Sequence, residues 1–231
     1  MSMNVAGVSG YHSNTGKWMK QLISGKKINS AADDASGSAI ASKLRASMTT
    51  STVSASNYQS QILKNNVADG AMSGMNSYLS DMTSKSVQAS NDTLTDSDKS
   101  TIYDHMNVLS QGVSSLTNTT YNEQNVISDS TAAAVTSTGY DLSSIESATD
   151  ALYSAMAENG AATNAASYAA NVASITAINT AAALSRTEDA DMAAASVGLS
   201  TSKTLDEVNT SMIKKQMEDQ EDDNKRLLGV S

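Results

Sequence analysis

Few side chains in this 231-residue chain are equipped for chemistry. It has two histidines, His12 and His105, one tryptophan, Trp18, and no Cys. Without Cys there is no disulfide, thiolate nucleophile or zinc-thiolate site. Neither histidine stands in HExxH or in a metal-like cluster. His105 falls off the apolar seam of its segment and reads as a surface histidine. Asp33 and Asp34 are adjacent, but neighbours on a helix point about 100° apart, so the two carboxylates do not converge as an acid/base pair. The nucleophile-elbow, phosphate-loop and dinucleotide patterns are absent. Trp18, between Lys17 and Met19-Lys20, reads as a packing or interface tryptophan rather than a membrane anchor. No catalytic residue, cofactor or metal is expected, and the chain does not read as an enzyme.

The elements that hold these residues follow from composition. Ala, Ser and Thr supply 94 positions; Pro and Phe are missing altogether, and aromatics reach only 4%. Small side chains cannot fill a broad core at crystal-like density, but they suit thin seams between closely approaching helices. Zero Pro permits long uninterrupted helices. The expected fold is therefore mainly all-α: an elongated bundle of long helices with coiled-coil-like seams. The formal charge of −9 argues against nucleic acid, whose binding rests on Lys and Arg neutralising phosphates. No run of 18 apolar residues exists to span a membrane, and no apolar stretch of signal-peptide length follows the early lysines. A secreted chain of this kind would not use a conventional cleaved signal.

Apolar periodicity gives four seams. They are Met72, Met75, Leu79 and Met82; Ile102, Met106, Leu109, Val113 and Leu116; Leu142, Ile145, Thr149, Leu152 and Met156; and Tyr168, Val172, Ile175, Asn179 and Ala182. The spacing predicts helices over about 37–91, 96–117, 142–195 and 200–228, with a weaker helical segment at about 14–25. The polar run Asn91–Asp98 is rich in N-cap residues and predicts a loop feeding the next helix. The stretch 118–141 allows a short β-hairpin at most. Charge separates the ends: residues 1–30 hold four Lys and no acid, while 218–223 read Glu-Asp-Gln-Glu-Asp-Asp. Either the two ends are solvated, or they pair as a coiled coil whose opposite charges set partner and register.

One local pattern is denser than the rest. Ser24-Gly25-Lys26-Lys27-Ile28-Asn29-Ser30-Ala31-Ala32-Asp33-Asp34-Ala35-Ser36-Gly37-Ser38-Ala39-Ile40 predicts a helix end at Gly25, a turn, and a new helix capped near Asp33 or Asp34. This run closely resembles the N-terminal signature of bacterial flagellins. Asp69-Gly70-Ala71-Met72-Ser73-Gly74-Met75-Asn76 and Val87-Gln88-Ala89-Ser90-Asn91 are similar to later family motifs. So is Ala183-Leu184-Ser185-Arg186-Thr187-Glu188-Asp189-Ala190-Asp191 near the other end, and Gly160 and Asn164 fall on a further one. The family positions marked for subunit packing are Gly25, Ile28, Asn29, Asp33, Asp34, Gly37, Ile40, Asn164, Ser185, Arg186, Asp189 and Asp191.

The resemblance implies a structural subunit of the flagellar filament, extracellular, exported unfolded by the flagellar type III route and polymerising for motility. It implies terminal inner-tube helices at 1–36 and 196–231, frayed or disordered in the monomer, and a helical rod at 37–117 with 142–195. The variable region shrinks to 118–141. Implied partners are further copies of the chain, other flagellins, an export chaperone, and the filament cap and junction proteins; nucleic acid and membrane are not among them. A minor flagellin or hook–filament junction protein is the nearby alternative, and a soluble coiled-coil signalling or adaptor protein the one from a different class.

Two departures stand out. The acidic C-terminal stretch from Lys214 to Asp223 replaces an apolar family segment, with Leu227-Leu228 coming late. The segment that the Toll-like innate receptor for flagellin recognises aligns with Leu79–Gln88, where the key family positions fall on Asp81 and Lys85, with His105 further on. A reversed charge and a lost apolar contact at an interface centre imply weak or absent recognition.

Overall fold

Helix is the default wherever Ala-rich, Pro-free sequence meets a partner surface. The computed structural model describes the backbone of residues 5–137 and 139–228 and the side chains of 14–137 and 139–226. Among the described residues there are six helices: α1 Val5–Ser24, α2 Ala35–Ala89, α3 Asp96–Thr117, α4 Asp129–Thr136, α5 Leu142–Glu188 and α6 Met192–Leu228. One two-stranded sheet, β1 Thr120–Tyr121 with β2 Gln124–Asn125, completes the set. The fold is mainly α, and no helix among the described residues is long and apolar enough to cross a membrane.

The chain forms two compact units, 50–176 and the pair 1–49 with 177–231. In the 50–176 unit the first three seams meet. Met75, Leu79, Met82, Met106, Val113, Val135, Ile145 and Leu152 are its largest fully buried side chains. Methionine does here what Phe does elsewhere, filling irregular gaps with an unbranched, polarizable chain. Leu116 of α3 lies against Gly74 of α2, and the Tyr78 ring of α2 lies against Gly112 of α3. Each side chain seats where its partner has no Cβ, and the crossed order makes the two helices antiparallel. The loop before α3 ends in a capping box: Asp98 N–H donates to Thr95 Oγ1 at 3.3 Å, and Thr95 N–H donates to Asp98 Oδ2 at 3.1 Å.

The stretch 118–141 holds the expected hairpin, in register Thr120↔Asn125 and Tyr121↔Gln124. Its two turn residues, Asn122 and Glu123, have φ of 51° and 64°, the geometry of a tight type I′ connection. It also holds α4, which the sequence reading missed. Eight residues are too few for a periodicity to register or for an isolated helix to persist. Ser128 caps α4, and Ile127 and Val135 anchor it in the core.

Three other expectations need correction. The first helix begins at residue 5 rather than about 14, its early glycines notwithstanding, because α1 packs along α6 and tertiary contact overrides propensity. The break expected between 195 and 200 falls at 189–191 instead. Asp191 sets it: its Oδ1 accepts from Ala193 N–H and Ala194 N–H, each at 3.0 Å, and so caps α6. The fourth seam is not buried. Tyr168, Val172 and Ile175 are 74%, 63% and 58% exposed, while Ala166 and Ala170 are the covered residues on that stretch of α5.

Among the described residues of the unit of 1–49 with 177–231, small residues and polar contacts take the place of an apolar core. The Trp18 ring of α1 lies flat on Gly198 of α6, where an added Cβ would come within 2.6 Å of Cε2. Ala195 and Ser202 flank that contact and are buried. Thr15 Oγ1 donates to Asp206 Oδ2 at 2.9 Å. The order of these pairs makes α1 and α6 antiparallel. Trp18 is thus a packing residue. Among the described residues the acidic run finds its cations on its own helix, Lys215 with Asp219 at 3.8 Å and Lys225 with Glu221 at 3.0 Å, and not among the N-terminal lysines. Side chains of His12, Leu227 and Leu228 lie outside the described residues.

Candidate functional site

The two family-like motifs, at 24–40 and 183–191, meet in a junction built largely of main-chain bonds. Gly25 ends α1 with φ of 68°, a left-handed conformation that a Cβ would disfavour. The chain then pairs briefly with the segment after α5. Lys27 N–H donates to Glu188 C=O at 2.7 Å, and Ala190 N–H donates to Gly25 C=O at 2.8 Å, an antiparallel bridge centred on Lys26 and Asp189. Buried Gln21 of α1 donates from Nε2 to Lys27 C=O at 3.1 Å.

Charge locks the same place. Glu188 is the last residue of α5, where the helix dipole disfavours an acid. Its side chain is 8% exposed, yet two cations reach it: Lys26 Nζ at 2.8 Å from Oε1, and Arg45 Nη2 on Oε2. The Lys26 hydrogen bond, helped by Arg45 and opposed by burial, holds the carboxyl below its ordinary range. Lys27 Nζ completes the set with a 3.0 Å bond to Arg186 C=O, a ligand suited to a helix C-terminus.

The turn between α1 and α2 is organised by the adjacent acids. Asp33 Oδ2 accepts from Asn29 N–H at 3.0 Å, Ser30 N–H at 2.9 Å and Ser30 Oγ at 3.1 Å. These bonds hold its carboxyl low, the Asn29 backbone donor leading. Asp34 caps α2 by accepting from Gly37 N–H at 2.8 Å. A Cβ on Gly37 would lie 2.3 Å from Asp34 Oδ2 and 2.6 Å from Ile28 Cδ1, so glycine alone fits while the cap and buried Ile28 stay in place. Asn29 Nδ2 donates to Lys26 C=O at 2.9 Å. On the other motif Ser185 Oγ donates to Asp189, and Asp191 caps α6.

The structure thus brings together Gly25, Ile28, Asn29, Asp33, Asp34, Gly37, Ser185, Arg186, Asp189 and Asp191 in one unit. Arg186 acts there through its carbonyl, not its guanidinium. Ile40 and Asn164 are exposed and do not join the junction. Asp81 and His105 are exposed, and Lys85 is half-exposed with Nζ 3.4 Å from Gln88 Oε1. Sequence reasoning missed Arg45 and the role of Glu188. A signal existed: Arg45 is the only Arg before Arg186, placed in a helix otherwise poor in charge. No group of three or more His, Cys, Asp or Glu able to hold a metal occurs among the described residues.

Residues 5–132, more than half of the chain, match the family model for the bacterial flagellin N-terminal helical region. The chain belongs to the bacterial flagellin family. It is similar to a flagellin of Clostridium tyrobutyricum, 40% identical over 107 residues, which cover 46% of this chain and 28% of that protein. A flagellin of Halalkalibacterium halodurans is 34% identical over 120 residues, 52% of this chain and 44% of the relative. A phase 1 flagellin of Salmonella naestved is 33% identical over 102 residues, 44% and 20% of the two chains. The chain therefore spans less than half the length of each of these flagellins. The matched family region takes in the Gly25–Gly37 turn, Arg45 and most of the methionine core.

Proposed function

We propose that the chain is a structural subunit of the bacterial flagellar filament, outside the cell, and not an enzyme. It is exported unfolded by the flagellar type III route, meets an export chaperone and the filament cap and junction proteins, and polymerises through its terminal helices. On this reading 1–36 and 196–231 serve as inner-tube segments, and 37–117 with 142–195 as the rod that packs against copies. One observation carries the reading beyond family membership. Tyr168, Val172 and Ile175 form an apolar stripe on α5 that stands in water in the single chain. Helix faces of this kind are ordinarily covered by another surface, and in a filament the cover is another subunit. Val208 and Met212, four residues apart on α6, are exposed in the same way.

Seeded polymerisation of the purified chain, followed by negative-stain microscopy, tests the proposal. Tubular fibres of uniform diameter are the expected result. A chain that stays monomeric with seeds, at low and high salt alike, contradicts it and favours a role outside the filament.

Receptor recognition is expected to be weak or absent, since Asp81 is an exposed acid and Lys85 a charged side chain at the positions that align with the receptor-binding segment. A reporter-cell assay checks this, and activation at nanomolar protein would contradict it.

A further inference from the structure

We propose that the outer face of α2 between Val53 and Leu63 is the seat for the α5 stripe of a second copy of this chain. This contact rests on the filament reading and names the surface that meets Tyr168, Val172 and Ile175. Both helices carry apolar side chains on two sides. On α2, Ala55 is buried, while Val53 and Leu63 are 53% and 54% exposed. Val53 stands two residues from Ala55 and so about 160° round the helix from it. On α5, Tyr168 stands in the same relation to buried Ala166 and Ala170. The two helices are neighbours within the 50–176 unit, since Asn159 Nδ2 donates to Asn65 C=O at 2.9 Å. Both outer faces nonetheless stand in water, so neither covers the other within one chain.

Charge selects the cover. The chain is −9 overall, yet no Asp, Glu, Lys or Arg occurs from 46 to 63 or from 159 to 185. Copies of like net charge approach closely only through neutral faces. Relief agrees with charge. Val53 and Leu63 are about 15 Å apart along the helix, and the small side chains of Ser56 and Ser60 are exposed between them on the same face. Tyr168, Val172 and Ile175 span about 10 Å along α5 and fill such a gap as knobs fill holes. The hydroxyls there tolerate being covered. Ser60 Oγ donates to Ser56 C=O at 3.1 Å, Ser56 Oγ to Thr52 C=O at 3.3 Å, and Thr176 Oγ1 to Val172 C=O at 2.8 Å. Each keeps that hydrogen bond without water. A contact of α2 with α5 joins unlike faces, so every added copy still offers one free face and growth stays open. A contact of α5 with α5 would close as a two-fold dimer.

The chain has no Cys, so single introduced cysteines test the contact. Ser60→Cys and Asn171→Cys each place a thiol on an exposed position, one on each face. The two variants are mixed in equal amounts and oxidised, both as soluble chain at high concentration and during seeded growth. A disulfide needs Cα atoms within about 7 Å, so the dimer linking the two variants should exceed that of either variant alone at least about fivefold. Adding Leu63→Lys to the Ser60→Cys chain should abolish the link, while circular dichroism shows unchanged helix content because both positions are exposed. The mixed link in soluble chain that forms no fibres would uphold the contact and overturn the filament reading. Absence of the mixed link, with fibres or without them, would overturn the contact. So would Asn171→Cys linking to itself as readily, or a mixed link that survives Leu63→Lys.

Discussion

The two units of this chain are stabilised by different physics. The 50–176 unit closes a methionine, leucine and isoleucine core on itself. Among its described residues the unit of 1–49 with 177–231 buries little beyond Ile28, Ala41 and Ala195 as apolar side chains, and relies on main-chain bridging, carboxylate caps and the Lys26–Glu188–Arg45 cluster. Apolar burial is non-directional and accumulates with area. Hydrogen bonds and part-exposed ion pairs give small net stability but fix geometry. The first unit is thus built to persist alone. The second is built to set where the two family motifs meet, and it should be the first to open.

Breaking the core should have the largest effect. Leu79→Ala removes a fully buried side chain and should cost about 2–5 kcal/mol. Urea unfolding followed by circular dichroism should show the loss, while Trp18 fluorescence keeps its midpoint, because the only tryptophan reports the other unit. A matching shift in both signals would show one cooperative body instead.

The reverse experiment places the damage in the terminal pair. Gly198→Val drives a branched side chain into the Trp18 ring, whose Cε2 would lie only 2.6 Å from the new Cβ, well inside van der Waals contact. Overpacking of this kind costs about 1–3 kcal/mol. The Trp18 transition should move to lower urea and the core transition stay where it is.

Glu188→Gln should have a smaller effect of the same kind, about 1–2 kcal/mol, because the buried carboxamide keeps some hydrogen bonding but leaves two cations without their charge partner. The same substitution also tests the pH dependence. Glu188 titrates below its ordinary 4.5 when folded. Its contribution is therefore fully present above that unfolded value and is lost as pH falls through the lower folded one. An acid titration followed at Trp18 should show this loss in the native chain, and a shallower one in Glu188→Gln.

Much of this was legible in the sequence because the relevant signals are local. Heptad spacing at Met72–Met82 and Ile102–Leu116 marked the seams that bury, and the Asp33-Asp34 pair marked a helix start. The Gly25 helix end followed from the same run of residues. What was not legible depended on partners distant in the chain. Arg45 and Glu188 are 143 residues apart, and nothing in either neighbourhood names the other. The Tyr168–Ile175 stripe has the periodicity of a seam, but periodicity finds a face without saying what covers it. Alanines at 166 and 170 took the inward side because a small side chain lets helices approach more closely.

That stripe is where the central claim can be tested most directly. Val172→Lys places a charge on an exposed position of α5, so the monomer should keep its helix content and thermal midpoint. Seeded fibre growth, measured by light scattering and microscopy, should be lost. Fibres that elongate as fast with lysine at that position as with valine would contradict the account of α5 as a subunit-packing face.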